Sequence, residues 1–309
     1  MSSFASLLLS FFMALAPRAV AAPAEPPAFD PGGRWEGAII VRPGEFELDL
    51  QLMLEPCAKG GQCGHLALPT ENSGPLEVLD LQVQGHILSF RTRDAAGTVS
   101  NFRGTASGDG KSVEGIITEA QSEAPFTLSR ASGRSPEPSA VEILSSSGAE
   151  LRDAFNHNRD KVRLVLILSP TCSNCRMSAR MVQRYVLQPL DDSRLAVFVI
   201  WEKIGVKDTL ETARQATALL PDSRVRFFWS EARAAGKAFQ GPIGIQGTPA
   251  WDVFLVYDPG KNWIGDAPPV PSFFMHNQPS HSELPQDRLL NGNRLADKIR
   301  STLHPIGAP

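Results

Sequence analysis

The chain has 309 residues, 42% of them hydrophobic and 20% charged, enough for two ordinary domains each with its own core. A formal charge of -3 with no extended basic run argues against nucleic acid as a partner. Leu7 to Leu15 form an apolar run followed by Ala19-Val20-Ala21, the spacing of a secretory cleavage site. Residues 1–21 therefore read as a signal peptide cut near Ala21, which predicts a periplasmic or secreted protein. No Lys or Arg precedes the apolar run and Arg18 follows it, so a short anchor is the competing reading. No other stretch approaches the roughly 20 apolar residues that span a bilayer, so no stable membrane span is expected once the signal is gone. Four cysteines in two close pairs fit an oxidising compartment.

Residues 22–31, with Pro23, Pro26, Pro27 and Pro31, read as an extended leader. Over 32–130 the pattern becomes period-two and turn-punctuated. Phe46, Leu48, Leu50, Leu52 and Leu54 share one face of the clearest strand, with mostly polar residues on the other. Eight strands are predicted, at 34–41, 46–54, 64–68, 76–83, 86–92, 98–105, 112–119 and 125–130. Eight short strands with one apolar face each predict a small antiparallel β-barrel, with a two-sheet sandwich as the alternative. Gly33-Arg34-Trp35-Glu36-Gly37 and Phe126-Thr127-Leu128-Ser129-Arg130 loosely resemble the lipocalin-like barrel modules that precede catalytic domains in secreted bacterial proteins. Cys57 and Cys63 flank a five-residue tip between the second and third strands, and a structural disulfide is expected there. Zinc held by Cys57, Cys63 and His65 is the rival, and it lacks an evident fourth ligand.

Residues 131–140, with Pro136 and Pro138, form the predicted linker to a second domain at 141–309. A helix is expected over 148–158, then a strand at Val162–Leu168, six of whose seven residues are apolar. This strand runs into Cys172-Ser173-Asn174-Cys175. From Met177 the apolar residues Met177, Met181, Val182, Tyr185 and Val186 take helical spacing, so Cys172 should stand at a helix N-terminus, where backbone N–H groups and the macrodipole favour a thiolate. Further elements are a buried strand at 195–200, a helix from a capping box at Asp208-Thr209-Leu210-Glu211 to Leu220, and a short strand at 225–229. A helix capped by Ser230, a strand at 251–257, a proline-rich loop at 267–285 and a closing helix at 293–303 complete the chain.

Thr171-Cys172-Ser173-Asn174-Cys175, together with Gly244-Ile245-Gln246-Gly247-Thr248-Pro249-Ala250 and the apolar run behind it, resembles the thioredoxin-like superfamily over the C-terminal half. The resemblance implies an α/β thioredoxin-like fold in which Pro249 is a cis-proline facing the redox pair. It also implies thiol–disulfide exchange on protein disulfides, with Cys172 as nucleophile, Cys175 as resolving thiol and Thr248 and Pro249 in the substrate-binding loop. An electron-exchanging protein partner follows; no cofactor and no metal are required. Leu166 stands where thioredoxins keep a buried acid, and Glu202 is the candidate acid/base to replace it; otherwise Glu202 is a solvated loop carboxylate. Residues 203–243 read as an insertion that covers the site or docks a partner. Arg176 reads as a solvent-facing helix residue. Two alternatives stay open: a non-catalytic binding protein with an inert Cys172–Cys175 bridge, and copper handling aided by His276 or His281, although the matching copper chaperones space their cysteines one residue further apart.

Overall fold

Alternation of apolar and polar residues from Gly33 to Arg130 builds one large antiparallel sheet. The computed structural model describes residues 29–58, 60–71, 74–131, 137–278 and 283–304. The expected signal peptide, the first part of the leader, most of the linker's first half and His281 lie outside them. The sheet's segments are β1 (Gly33–Arg42), β2 (Phe46–Pro56), β3 (Gln62–Ala67), β4 (Leu76–Glu77), β5 (Leu79–Gln84), β6 (Ile87–Arg93), β7 (Val99–Ala106), β8 (Ser112–Glu119) and β9 (Ser122–Arg130). They pair in the order β4-β3-β2-β1-β9-β8-β7-β6-β5. The strand expected at 76–83 is β4 and β5 together, broken at Val78 and turned at Asp80, whose φ is +51. One bent strand thus supplies both edges of the sheet, which is nearly closed and leaves little free edge.

Trp35, Leu50, Leu52, Phe102, Phe126 and Leu128 fill the interior. Beside them a cavity of about 250 Å³ opens among Ile39, Leu48, Leu68 and Ile117, with Glu119 and Glu123 in its lining. The end of the leader is not empty of structure: Phe29 is buried edge-on against Trp35, whose indole N–H donates to Pro31 O at 2.8 Å. Cys57 and Cys63 form a disulfide across a Cα separation of 5.2 Å, which clips the β2–β3 tip and takes both sulfurs away from the zinc alternative.

The second half folds around a mixed sheet. Its strands are β10 (Val141–Ile143), β11 (Val162–Leu168), β12 (Leu195–Glu202), β13 (Val225–Ser230), β14 (Val253–Tyr257) and β15 (Phe273–His276), in the order β10-β13-β12-β11-β14-β15. The first four in that order run parallel, and β14 and β15 are antiparallel to their neighbours. Every residue of β11 and β12 is buried, as helices on both faces require, and each buried aliphatic chain contributes roughly 1.5–3 kcal/mol. Helices α1 (Ala149–His157) and α4 (Ala234–Ile243) pack on one face through Leu151, Phe155, Ala235 and Phe239. Helices α2 (Ser173–Val182), α3 (Leu210–Ala216) and α5 (Gly292–Leu303) pack on the other through Met177, Met181, Ala213, Leu295 and Ile299.

Three expectations need correction. Residues 203–243 are not an insertion over the sheet, because they supply β13, which pairs with both β12 and β10, and the helices α3 and α4. The cap of α3 is Thr209, whose hydroxyl accepts from Thr212 N at 3.1 Å, one residue later than the spacing suggested. The stretch 267–285 is not all loop: Phe273 to His276 pair with β14.

The two halves meet along β2 and α2. Glu47 and Asp49 point out of the barrel, yet they are only 2% and 3% exposed. Arg184 donates to both, at 2.7 Å to Asp49; Arg180 donates to Asp49, and the Tyr185 hydroxyl donates to Glu47. Tyr185 and Arg184 lie in the π-helical turn Gln183–Leu187 that extends α2. Gly292 crosses the ring of Tyr185, where a Cβ would come within 2.7 Å of Cδ2, and its N–H donates to Gly44 O at 2.7 Å. Two carboxylates taken out of water depend on these donors, and withdrawing one partner of a buried pair typically costs about 3–5 kcal/mol. Arg184→Ala is therefore expected to lower unfolding stability in urea by about 3 kcal/mol; a loss under about 1 kcal/mol would mark the pair as an ordinary surface contact.

Candidate functional site

The C-terminal end of β11 and the start of β14 lie at the same edge of the mixed sheet, because Ile167 pairs with Val253. Residues 169–175 and 248–252 therefore converge there. Cys172 is the N-cap of α2, with extended backbone (φ -79°, ψ 121°), and its carbonyl accepts from Arg176 N at 3.0 Å. It is partly exposed, whereas Cys175, one turn in, is fully buried. The two thiols are consequently unlike. Hydrogen bonding from the Cys175 thiol is the main cause that brings Cys172 down to about 6, with the backbone N–H groups of Cys175 and Asn174 adding to it. Burial and the negative charge of Asp208 act in the opposite direction. Burial first, and then the bond it gives to Cys172, push Cys175 well above the ordinary thiol range. A ready nucleophile beside a protonated partner is the state that stepwise exchange needs.

Two carboxylates that sequence reasoning did not connect with the cysteines stand beside this pair. Asp252 is buried; burial pushes it up to about 8, the Cys172 charge adds to the rise, and hydrogen bonds from Ser178 and Cys175 oppose it. Its Oδ1 has no partner. A lone acid inside the apolar run Trp251 to Tyr257 was the available signal, hidden because that run read as strand. Asp208 is also buried and accepts from Ser169 Oγ (2.9 Å), Thr171 N (3.2 Å), Thr171 Oγ1 (2.6 Å), Ile204 N (3.0 Å) and Gly205 N (2.7 Å). It thereby ties the loop at 203–208 to the residues just before Cys172, a task that a capping reading could not anticipate.

Glu202 is buried at the end of β12, not solvated in a loop, and burial brings it up to about 7. Its Oε1 accepts from Ser230 Oγ at 3.1 Å and Gly236 N at 2.9 Å. A Cβ on Gly236 would meet Glu202 Oε2 at 2.3 Å and Pro249 Cβ at 2.9 Å, so α4, Glu202 and Pro249 touch one another. Thr248 is exposed, with its carbonyl accepting from Gln240 and its N–H bonded to Gln246 O at 3.0 Å. Among the described residues no peptide bond is cis, so the Thr248–Pro249 bond is trans, a correction to the cis-proline the resemblance implies. The chain instead redirects itself at Gly247 (φ +82) and Asp252 (φ +50), and three residues separate Pro249 from β14.

Arg176 does not face solvent. It is half-buried against the barrel and donates to Pro69 O at 2.9 Å and Pro170 O at 3.1 Å. His276 is fully buried; Nε2 lies 3.0 Å from Pro285 O, and Nδ1 accepts from Gln278 N at 3.2 Å, so both nitrogens that a copper ion would use are engaged. Among the described residues no group of three or more His, Cys, Asp or Glu side chains is arranged to hold a metal, and no helix is long and apolar enough to cross a membrane. No family model matches the chain, and no curated protein matches it.

Asp252 and Glu202 make the fold sensitive to pH in a definite direction. Each carboxyl is raised in the folded chain, so between the unfolded carboxylate range near 4 and the folded values the native state holds more protons than the unfolded one. Stability from these groups is complete below about pH 4 and is lost as pH rises toward 7 and 8. Asp252→Asn should therefore remove part of the decline in urea stability between pH 5 and pH 8, and be more stable than wild type at pH 8. Equal slopes in the two proteins would show that Asp252 ionises freely in the fold.

Proposed function

We propose that the chain is a thiol–disulfide oxidoreductase acting on protein disulfides outside the cytoplasm, built as a barrel module joined to a thioredoxin-like domain. The observation that carries this reading is the contrast between Cys172, partly exposed at the start of α2 and brought to about 6, and the buried Cys175. In the reducing direction the Cys172 thiolate attacks a client disulfide, forms a mixed disulfide and releases one client thiolate. With the Cys172 charge gone into the mixed disulfide, Asp252 ionises more readily, and its carboxylate takes the Cys175 proton as Cys175 attacks Cys172 Sγ. A Cys172–Cys175 disulfide forms and the second client sulfur leaves, so two electrons have passed from the pair to the client. Asp252, beside both cysteines, suits the proton transfer better than Glu202, whose Oε1 accepts from Ser230 and Gly236. Removal of a signal ending near Ala21 would deliver the chain to an oxidising compartment, where Cys57 and Cys63 can stay bonded.

The test is turnover of insulin disulfides with dithiothreitol as reductant. Wild type should accelerate reduction, Cys172→Ser should lose at least 100-fold of that acceleration, and Cys175→Ser should accumulate a mixed disulfide visible by mass spectrometry. Equal rates with and without the protein would instead favour an interaction module whose cysteine pair is inert.

A further inference from the structure

We propose that the pocket between the barrel and α2 is a subsite for small disulfides that carry a carboxylate a few bonds from their sulfurs. This deepens the thiol–disulfide reading and rests on it. The pocket has a volume of about 160 Å³ and is walled by β1 and β2 of the barrel, by α2 and by the turn after α3. A cavity of similar size takes a benzene molecule, so about six heavy atoms fit. That matches a carboxylate with a short carbon chain and is too small for a client polypeptide strand.

Charge says what those atoms should be. Arg34, Arg176 and Arg180 line the pocket against Glu36 and Asp49, which leaves one positive charge over. Arg34 is engaged with Glu36, and Arg180 with Asp49. The hydrogen bonds of Arg176 go to the carbonyl oxygens of Pro69 and Pro170, which are neutral. Burial disfavours its charged form, and the field of Asp49 only partly offsets that. A guanidinium held this way gains from a carboxylate, which it can bind through two parallel N–H groups.

Position links the pocket to the nucleophile. Arg176 N donates to Cys172 O at 3.0 Å and its Nη1 donates to Pro170 O at 3.1 Å, so the guanidinium lies against the residues that lead into Cys172. A carboxylate on Arg176 would leave a chain of two or three carbons reaching back toward Cys172. The Cys172 thiolate then bonds to the nearer sulfur of the disulfide and expels the other as a thiolate. Cys175, its proton passed to Asp252, displaces the remaining thiolate and closes the Cys172–Cys175 bond. Two electrons leave the cysteine pair and two small thiols are produced.

The experiment compares 3,3′-dithiodipropionate with its uncharged diamide as oxidants of the reduced full-length chain. Each rate constant is divided by that for free dithiothreitol, which removes intrinsic reactivity. The subsite predicts that wild type prefers the diacid by at least tenfold, that Arg176→Gln brings the ratio near one, and that Arg176→Lys restores part of it. A wild-type ratio near one, or an unchanged ratio in folded Arg176→Gln, overturns the subsite while leaving the exchange chemistry intact. Failure of both compounds to oxidise the wild type overturns the exchange reading itself, and the subsite with it. Should Arg176→Gln fail to fold, added succinate replaces it: slowing of the diacid several-fold more than of the diamide supports the subsite, and equal slowing or none contradicts it.

Discussion

The pairing of a buried thiol with a partly exposed one sets the character of this molecule. Cys175 is sealed inside the face of the sheet that α2 covers, and it stays protonated because charge is costly there. Its proton is turned toward Cys172, which sits where the helix begins and where unfilled backbone N–H groups already favour negative charge. The burial of one thiol is thus what makes the other acidic. Everything that fixes this geometry, from the wholly buried β11 to the loop that Asp208 ties under Thr171, bears on the chemistry.

The barrel enters the same account through electrostatics. Its strand β2 turns one face inward to a hydrocarbon core and the other toward α2, with Glu47 and Asp49 held by Arg180, Arg184 and Tyr185. Those donors sit on α2 and its π-helical extension, so the element that carries the cysteines is also the element that carries the barrel. Arg176 completes the contact at the end nearest the thiols. The docking runs through paired charges set on α2 and its extension.

Much of this was legible in the residues. Period-two alternation located all eight strands of the barrel, since a one-residue slip would have turned the leucines of β2 outward. The apolar run of β11, the change to helical spacing after Cys175 and the short Cys57–Cys63 interval each have a local physical cause, and each was read correctly. What escaped depends on contacts between distant parts of the chain. The acidic face of β2 shows only as the polar side of a strand, because nothing local reveals that arginines 131 and 135 positions later will cover it. Asp208 looks like a helix cap and Asp252 like a flaw in a strand until the fold brings Thr171 and Cys175 beside them. Strand β15 hid among prolines because its four residues are too few to show a period. The trans Thr248–Pro249 bond departs from what the family resemblance implies, and no local pattern in the residues around it distinguishes the two isomers.

The central claim is that Cys172 owes its acidity to Cys175 and to the start of α2. Titration of the thiolate absorbance near 240 nm on the reduced chain, in wild type and in Cys175→Ala, tests it most directly. A wild-type midpoint at about 6 that rises by at least one pH unit when the Cys175 thiol is removed is the predicted result. A wild-type midpoint near the free-thiol value of about 8.5, or one that Cys175→Ala leaves in place, would contradict it.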